Sequence, residues 1–353
     1  TSSGYFKNQG VDIMAFDDIY PEGHQGGVCI IMNGHRVATN GDIRLEATPG
    51  QWQPVPKQLD RKLGDNSITA TLCYPDSSRH LTGFNPMIYP DLHLIYTVNV
   101  ESKGKNIEVT VDLDRPIPQE FIGKVGFNLE FFPGSLFGKP WIMDGQSGIF
   151  PQQPNSPLMT TQPNYLHTGN YHDGKQSLAD MDKLIGKGYS PIVADDIISE
   201  PYAKGRKFTS RPDDPYNKVT IESLSGDLQL FDGRMNHNNG WFVLRSNIKP
   251  GVTKGAVKWI ITPNVVADWM YQPVIQTSQI GYHPAQDKEA VIEMDIRDNR
   301  KETAQIIRID ADGEKVVKNV TPANWGKFLR YNYLKVDFTD VKEPGLYKIK
   351  YDT

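Results

Sequence analysis

Short apolar runs separated by turn residues dominate the N-terminal part of the chain. Residues 28–32, 35–39 and 42–45 are three such runs, and the dipeptides Asn33-Gly34 and Asn40-Gly41 separate them. Asn-Gly between apolar runs is a strong hairpin signal, because both residues accept a positive φ. The pattern therefore predicts an antiparallel β-meander with a turn at each Asn-Gly.

Similar runs recur through the first 272 residues, and helical periodicity is rare among them. The predicted strands are residues 68–74, 93–101, 106–113, 125–132, 219–224, 228–231, 241–248 and 256–262. Near-continuous alternation of apolar and polar residues is typical of an antiparallel sheet with one buried face. We therefore expect an all-β fold whose first part is a large antiparallel β-sandwich.

Residues 133–217 depart from this pattern. They are rich in Pro, Gln, Asn and Gly and show no sustained periodicity. They therefore predict a long loop region, which in a compact domain is usually functional or disordered. Their many aromatic residues favour an ordered loop held against the sandwich. The spacing of Leu178, Met181, Leu184 and Ile185 predicts one short helix within it.

From Pro273 onward the strands become shorter and more regular. Residues 288–295, 303–310, 314–320, 329–338 and 346–351 read as strands, and Asp312-Gly313 as a hairpin turn. About seven strands in roughly eighty residues is the size of an immunoglobulin-like sandwich. The sequence therefore predicts two domains, residues 1–272 and residues 273–353.

Charge and cysteine content exclude several kinds of partner. The chain has 38 Lys and Arg against 42 Asp and Glu, a formal net charge of -4, so we expect no nucleic-acid partner. We expect no membrane span, because no apolar segment is long enough. Cys29 and Cys73 lack a second Cys or a His at ligand spacing, which predicts no metal site or cofactor. They are expected to be buried thiols or, alternatively, one bridge between neighbouring strands.

Two segments of the second domain resemble a known family. Ser278-Gln279-Ile280-Gly281-Tyr282-His283-Pro284 resembles the Asn-Gln-Val-Gly-Tyr-x-Pro opening of the immunoglobulin-like domain that precedes the catalytic module in many glycoside hydrolase family 9 enzymes, the cellulase family. Val336-Asp337-Phe338-Thr339-Asp340 and Glu343-Pro344-Gly345-Leu346-Tyr347 are similar to the end of that domain. Ser278 departs from the usual Asn. The resemblance covers about eighty residues, the size of one such domain.

A weaker resemblance lies in the first domain. Val125-Gly126-Phe127-Asn128-Leu129-Glu130-Phe131 and Trp141-Ile142-Met143-Asp144-Gly145 are similar to the long N-terminal extension of some bacterial members. This resemblance implies a large sandwich of the mutarotase-like, supersandwich type.

The resemblance implies a non-catalytic N-terminal accessory portion of a family 9 glycoside hydrolase. Such a portion supports and positions the downstream catalytic barrel of the same polypeptide, which acts on β-linked polysaccharide, and its location would be periplasmic, cell-surface or secreted. Family 9 catalysis requires two carboxyl groups, and the base belongs to an Asp-Ala-Gly-Asp motif. Asp310-Ala311-Asp312-Gly313 has these letters in another order, in a predicted hairpin turn. We therefore predict no catalytic residue in this chain, and an uncovered apolar face on the second domain.

The alternative is that the first domain is itself a carbohydrate-binding module or a mutarotase-like enzyme. Trp141, Tyr165, Tyr171 and Trp241 lie in or beside polar loops, and aromatic rings stack on sugar rings. These four residues are the predicted polysaccharide surface, although they could instead fix the loops to the core.

Two further features could carry chemistry. His167, Tyr171, His172 and Asp173 lie close together and could perform acid–base chemistry, although hydrogen-bonded loop residues are more common than catalysts. Glu130 alternates with the apolar residues of its strand. We expect it in a half-exposed outward position, the alternative being a buried carboxylate with a raised pKa.

Overall fold

A computed structural model describes residues 4–17, 26–46, 49, 55–82, 89, 92–154, 200–235 and 240–352. The chain divides into two compact units, Thr1–Ala267 and Asp268–Thr353. This division lies slightly N-terminal to the domain boundary that the sequence predicts after residue 272.

The described residues form β-strands and four short 3-10 helices. The strands are β1 (Phe6–Asn8), β2 (Val11–Ala15), β3 (Val28–Met32), β4 (His35–Leu45), β5 (Lys57–Leu63), β6 (Ser67–Tyr74), β7 (Leu94–Lys103), β8 (Asn106–Leu113), β9 (Val125–Phe131), β10 (Pro140–Met143), β11 (Gln146–Ile149), β12 (Ala203–Gly205), β13 (Lys207–Ser210), β14 (Val219–Ser223), β15 (Leu228–Asp232), β16 (Phe242–Asn247), β17 (Val257–Pro263), β18 (Val274–Gln276), β19 (Glu289–Asp295), β20 (Ala304–Asp310), β21 (Gly313–Val320), β22 (Ala323–Phe328), β23 (Tyr331–Asp337) and β24 (Leu346–Lys350). The 3-10 helices are Ser77–Arg79, Gln119–Phe121, Pro133–Ser135 and Gly233–Met235. The predicted all-β fold is confirmed.

Two large antiparallel sheets build the first unit. One has eight strands in the order β1-β2-β3-β4-β9-β16-β15-β12, and the other has nine in the order β11-β10-β13-β14-β17-β8-β7-β6-β5. Buried side chains of both sheets form one core. Across this core the ring of Phe127 lies 5.0 Å from that of Trp259, and Phe131 lies 5.8 Å from Phe208. The two sheets therefore form a β-sandwich.

The two Asn-Gly dipeptides behave differently. Asn33-Gly34 is the predicted hairpin turn, with φ of 51° and 82°. Asn40-Gly41 lies inside one long strand, β4, where the pairing register shifts. A Cβ at Gly41 would lie 2.6 Å from Cβ of Val28, so the two strands approach too closely there for any other residue. The prediction of a second turn is wrong, because the positive φ of Asn40 serves a bulge.

The described part of the predicted loop region 133–217 contains turns and four strands, namely β10, β11, β12 and β13. Each has only three or four residues, which is too short for alternation to be visible in the sequence. The predicted helix between Leu178 and Ile185 lies outside the described residues.

The second unit is a smaller antiparallel sandwich. Its sheets have the orders β18-β19-β23-β22 and β21-β20-β24. Ile292 of β19, Leu334 of β23 and Ile306 of β20 belong to one buried core. Strict alternation along β19 and β23 sends every second side chain into this core, and the residues between them face outward.

The cysteines are both thiols. Cys29 lies on β3 of the eight-stranded sheet and is buried, and Cys73 lies on β6 of the nine-stranded sheet and is half-buried. The alternative of a bridge between neighbouring strands is therefore wrong.

Candidate functional site

The two sequence segments that resemble the family motif meet in the second unit around Tyr282. The Tyr282 hydroxyl accepts a hydrogen bond from the Ser278 amide (3.0 Å) and donates one to the Glu289 carbonyl (2.9 Å). Its ring lies edge-on against Phe338, 5.1 Å between centroids. One side chain thus fixes the opening segment to β19 and to the closing segment.

A cleft of about 330 Å³ lies between the two segments, and Tyr282, Phe338, Pro344 and Tyr347 contribute to its walls. Lys288, which is buried, donates from Nζ to the carbonyls of Pro284 (2.9 Å) and Gln286 (3.1 Å). Its charge is thereby solvated by backbone oxygens within the loop. Because its walls are largely apolar and aromatic, the cleft could hold an apolar group.

Two apolar side chains of the motif project into solvent beside this cleft. Ile280 is 99% exposed and Leu346 is 65% exposed. We call these two residues the motif surface. Covering a fully exposed side chain of this size stabilises a complex by roughly 1.5–3 kcal/mol, which makes the two residues a candidate contact. Other apolar side chains of the second unit are also exposed, among them Val316, Val317 and Phe328. The predicted continuous apolar face stays a prediction.

A second surface of this unit consists of five aromatic rings in contact, which we call the aromatic face. Successive centroids along it are 6.2, 5.1, 6.1 and 5.5 Å apart. In that order the rings are Trp269, Tyr271, Tyr331, Tyr333 and Trp325. Tyr331 and Tyr333 lie on β23 on either side of buried Asn332, so both face outward.

Glu293 lies at the centre of the aromatic face. Tyr271 donates its hydroxyl hydrogen to Oε1 of Glu293 (2.9 Å), and Tyr333 donates to Oε2 (3.1 Å). Burial, together with the nearby Glu293 carboxylate, raises the pKa of both phenols, which keeps them protonated as donors. The hydroxyls of Tyr271 and Tyr333 are thus both bonded to Glu293, and these bonds hold the two rings in place.

A depression of about 230 Å³ lies at one end of the aromatic face, lined by Val291, Trp325, Phe328, Tyr333 and Lys335. Trp325 and Phe328 are each more than half exposed. Trp325 sits where the register of β22 against β23 shifts, between Asn324 and Gly326. Sequence reasoning missed this face, although the alternation of Tyr331 and Tyr333 on a predicted strand was a usable signal.

Only two of the four predicted sugar-binding residues of the first domain, Trp141 and Trp241, lie within the described structure. Trp141 on β10 is 7% exposed and belongs to the core, and a Cβ at Gly148 would lie 2.4 Å from its ring. Trp241 precedes β16 in the other sheet; it is half-buried and edge-on to Phe132, at 4.5 Å. Tyr165 and Tyr171 lie outside the described residues, so the four-residue surface stays a prediction.

The loop residues His167, His172 and Asp173 also lie outside the described residues. Within the described part of the chain, no cluster of His, Cys, Asp and Glu is arranged to hold a metal ion. The same part contains no helix long and apolar enough to cross a membrane.

The expected half-exposed position of Glu130 is wrong. Glu130 is 5% exposed and its Oε2 accepts a hydrogen bond from Nδ2 of Asn40 (2.6 Å). Its outward direction on β9 agrees with the alternation. The burial could not be predicted, because alternation gives the direction of a side chain and not whether that face is covered.

Glu130 belongs to a face that carries a second buried carboxylate, Glu46. Oε1 of Glu46 accepts hydrogen bonds from Asn128 (2.5 Å) and from Nη1 of Arg245 (3.1 Å). Arg245 also donates to the carbonyls of Glu46 and Lys124. Burial raises the pKa of Glu46 to about 7, against the opposing effect of Arg245.

Asp42 is a third buried carboxylate of this region. Its Oδ1 accepts a hydrogen bond from the Tyr96 hydroxyl (2.9 Å), and its Oδ2 lies 3.8 Å from Nη1 of Arg44. Burial raises the pKa of Asp42 to about 6. Raised carboxyl pKa values occur at catalytic sites and also in structural ion-pair networks. The many hydrogen bonds of Arg245 and Glu46 within the fold favour the structural role.

Comparison with protein families gives one match. Residues 270–353 match the model of the cellulase N-terminal Ig-like domain. This part of the chain is therefore similar to the immunoglobulin-like domain that its motifs resemble. No curated protein matches the chain.

Two solved structures show distant similarity. The heparan sulfate lyase HepC of Pedobacter heparinus has 11% identity and a TM-score of 0.28, over 83% of this chain and 40% of the lyase. The Slr1438 protein of Synechocystis sp. PCC 6803 has 10% identity and a TM-score of 0.29, over 72% of this chain and 91% of that protein. This chain thus spans 40% of the lyase's length. Similarity at these TM-scores carries no argument about fold or function.

Proposed function

We propose that this chain is a non-catalytic N-terminal accessory portion of a family 9, cellulase-like glycoside hydrolase. Its second unit packs against a downstream catalytic module of the same polypeptide and positions it for action on β-linked polysaccharide. The observation that carries this proposal is the match of residues 270–353 to the cellulase N-terminal Ig-like domain. The proposed location, periplasmic, cell-surface or secreted, follows from the same match.

The motif surface is the contact we assign to the catalytic module. Tyr282 holds the loop that carries Ile280, through its two hydrogen bonds. On the other segment, Arg308 pairs with Glu343 (2.5 Å), three residues before Leu346. Because both loops are already held, little conformational freedom is lost when a partner covers the two apolar side chains.

The carboxylates of the described chain support a non-catalytic role. Glycoside hydrolysis needs an acid and a base on opposite sides of an accessible bond. Glu46 and Asp42 are buried and bonded to neighbouring side chains within the sandwich. Asp310, in the segment with the letters of the catalytic motif, ends β20 and pairs with Arg308 (3.0 Å).

An assay of β-glucan hydrolysis by the 353-residue chain tests the proposal. We expect no turnover, and we expect the gene that encodes this chain to encode a catalytic module as well. Hydrolysis by the chain alone at a typical enzymatic rate, about 1 s⁻¹ or faster, would contradict a non-catalytic role. A reading frame without a catalytic module would contradict the docking.

A further inference from the structure

The aromatic face is open to solvent at its Trp325 end, and two of its tyrosines are held by hydrogen bonds. Tyr271 and Tyr333 are half-buried and tied to Glu293, whereas Trp325 and Phe328 are more than half exposed around the depression. A cluster of exposed aromatic rings on a monomer usually marks a binding surface, because water solvates such rings poorly. The face does not include Ile280 or Leu346, so the proposed docking of a catalytic module does not account for it.

The charges around the face balance in number, because the carboxylates of Glu289 and Glu293 lie near the cations of Lys335 and Arg330. Glu293 is bonded to two phenols, and Nζ of Lys335 lies 2.8 Å from Glu289. The guanidinium of Arg330 lies 5.3 Å from the ring centroid of Tyr331, in a cation–π contact. Opposite charges that balance over a small area leave little net field for an anionic or cationic ligand. The electrostatics therefore favour a neutral ligand.

The relative orientation of the rings restricts the shape of that ligand. The Tyr333 ring is inclined by 87° to Trp325 and by 69° to Tyr331. Rings set at such angles form ridges and a depression in place of a flat platform. A single flexible chain can seat one unit in the depression, whereas a flat crystalline surface would contact only the ridges.

Aromatic walls, balanced charges and a small depression suit one chemical class. We propose that the aromatic face binds a single chain of a neutral β-linked glucan, with one sugar ring in the depression against Trp325 and Phe328. The ring substituents of β-glucopyranose are equatorial, so both faces of the sugar present C–H groups that pack on aromatic rings. Hydroxyls at the rim of the sugar lie within reach of the Lys335 side chain, which lines the same depression.

Titration calorimetry of the 353-residue chain with cellohexaose tests this site. We expect saturable one-site binding, and we expect Trp325→Ala to weaken it by about tenfold or more, which corresponds to about 1.4 kcal/mol. Trp325→Phe, which keeps a ring, should retain most of the affinity. Hexagalacturonic acid, an anionic chain, should bind the unaltered protein much more weakly than cellohexaose. Val316→Ala, an exposed apolar change on β21 outside both surfaces, serves as the matched control and should leave cellohexaose affinity unchanged.

Several results would overturn the proposal. Absence of cellohexaose binding to the folded chain would do so, as would equal affinity in Trp325→Ala and unaltered protein. Tighter binding of the anionic hexamer would contradict the neutral-ligand argument. If sedimentation velocity showed self-association that Trp325→Ala abolishes, the face would be an interface between two copies. None of these outcomes bears on the motif surface, so failure here and failure of the proposed docking are distinguishable.

Discussion

The outward faces of two sheets in this protein have opposite characters. On β9 and β16 of the first unit, the outward residues Asn128, Glu130 and Arg245 are polar and buried. On β23 of the second unit, the outward residues Tyr331 and Tyr333 are aromatic and half exposed. Both faces arise from the same alternation of side chains along a strand. The two faces thus share the alternating direction of their side chains. They differ in whether other parts of the fold cover them.

The difference determines what each face can do. A buried polar face must satisfy its own hydrogen bonds, and Arg245 makes such bonds to Glu46, Asn128, Lys124 and Asn247. The polar groups of this buried face therefore bind one another and stabilise the fold. The open aromatic face has satisfied its hydroxyls through Glu293 and leaves the ring surfaces for a partner. The proposed binding therefore uses the aromatic face of the second unit, whereas the buried polar face of the first unit is structural.

The largest expected effect comes from removing the buried guanidinium. Arg245→Ala leaves the Glu46 carboxylate buried without its cation, which should lower the free energy of unfolding of the first unit by about 3–5 kcal/mol. Denaturant titration followed by tryptophan fluorescence measures this loss. Arg206→Ala is the control, because Arg206 is half exposed and lies 3.8 Å from Asp227, so the change should cost about 0.5 kcal/mol or less. Equal losses of unfolding free energy in the two variants would contradict the structural role assigned to the buried polar face.

The pH dependence of stability should have opposite signs in the two units. Asp42 and Glu46 have folded pKa values of about 6 and about 7, above their ordinary 3.8 and 4.5. Their contribution is fully present below about pH 4 and is lost as the pH rises through these folded values. Hydrogen bonds from Arg297 lower the pKa of Asp295 to about 2, so its contribution is present above about pH 4 and is lost as the pH falls through 2.

Melting curves between pH 2 and pH 8 test this contrast. The first unit should lose stability between about pH 4 and pH 7, and Glu46→Gln should flatten that loss because the amide does not titrate. An unchanged slope in Glu46→Gln would show that Glu46 titrates normally.

A smaller effect is expected at the motif tyrosine. Tyr282→Phe removes the hydroxyl that joins the Ser278 amide to the Glu289 carbonyl. It should destabilise the second unit by about 1–2 kcal/mol and leave the first unit unchanged. Differential scanning calorimetry separates the two transitions. A shift in the first transition alone would be inconsistent with the placement of Tyr282.

The smallest effect on stability is expected at the aromatic face. Trp325→Ala removes an exposed ring, so the free energy of unfolding should change by about 0.5 kcal/mol or less, although sugar affinity should fall. Chemical denaturation of the binding-deficient variant checks this. A loss as large as that of Arg245→Ala would mean that Trp325 is a structural residue.

The sequence predicted those features that depend on periodicity and turn chemistry. The all-β class and the Asn33-Gly34 turn follow from local rules that the structure obeys. The bulge at Asn40-Gly41 was misjudged, because the same dipeptide serves a turn or a bulge according to how closely Val28 approaches. The burial of Glu130 depends on what covers the sheet, which no local rule contains.

The candidate binding residues were harder to predict for a similar reason. Trp141 was expected in a loop, but it lies on a strand too short to recognise and packs in the core. Trp325 faces outward at a bulge, where alternation breaks, so its direction could not be derived. Tyr331 and Tyr333 could have been assigned outward from alternation, but their contact with Trp269 and Tyr271 requires the fold.

The proposed support of a catalytic module can be measured as the melting temperature of that module in a polypeptide that contains both the proposed module and this chain. The second unit is proposed to support the module through Ile280 and Leu346. The double change Ile280→Ser and Leu346→Ser should lower this melting temperature by about 4 °C or more, because two apolar contacts are lost. Val316→Ser with Val317→Ser, exposed apolar residues of β21, is the matched control and should have no effect. Equal melting temperatures for the motif variant and the unaltered polypeptide would contradict the proposed support.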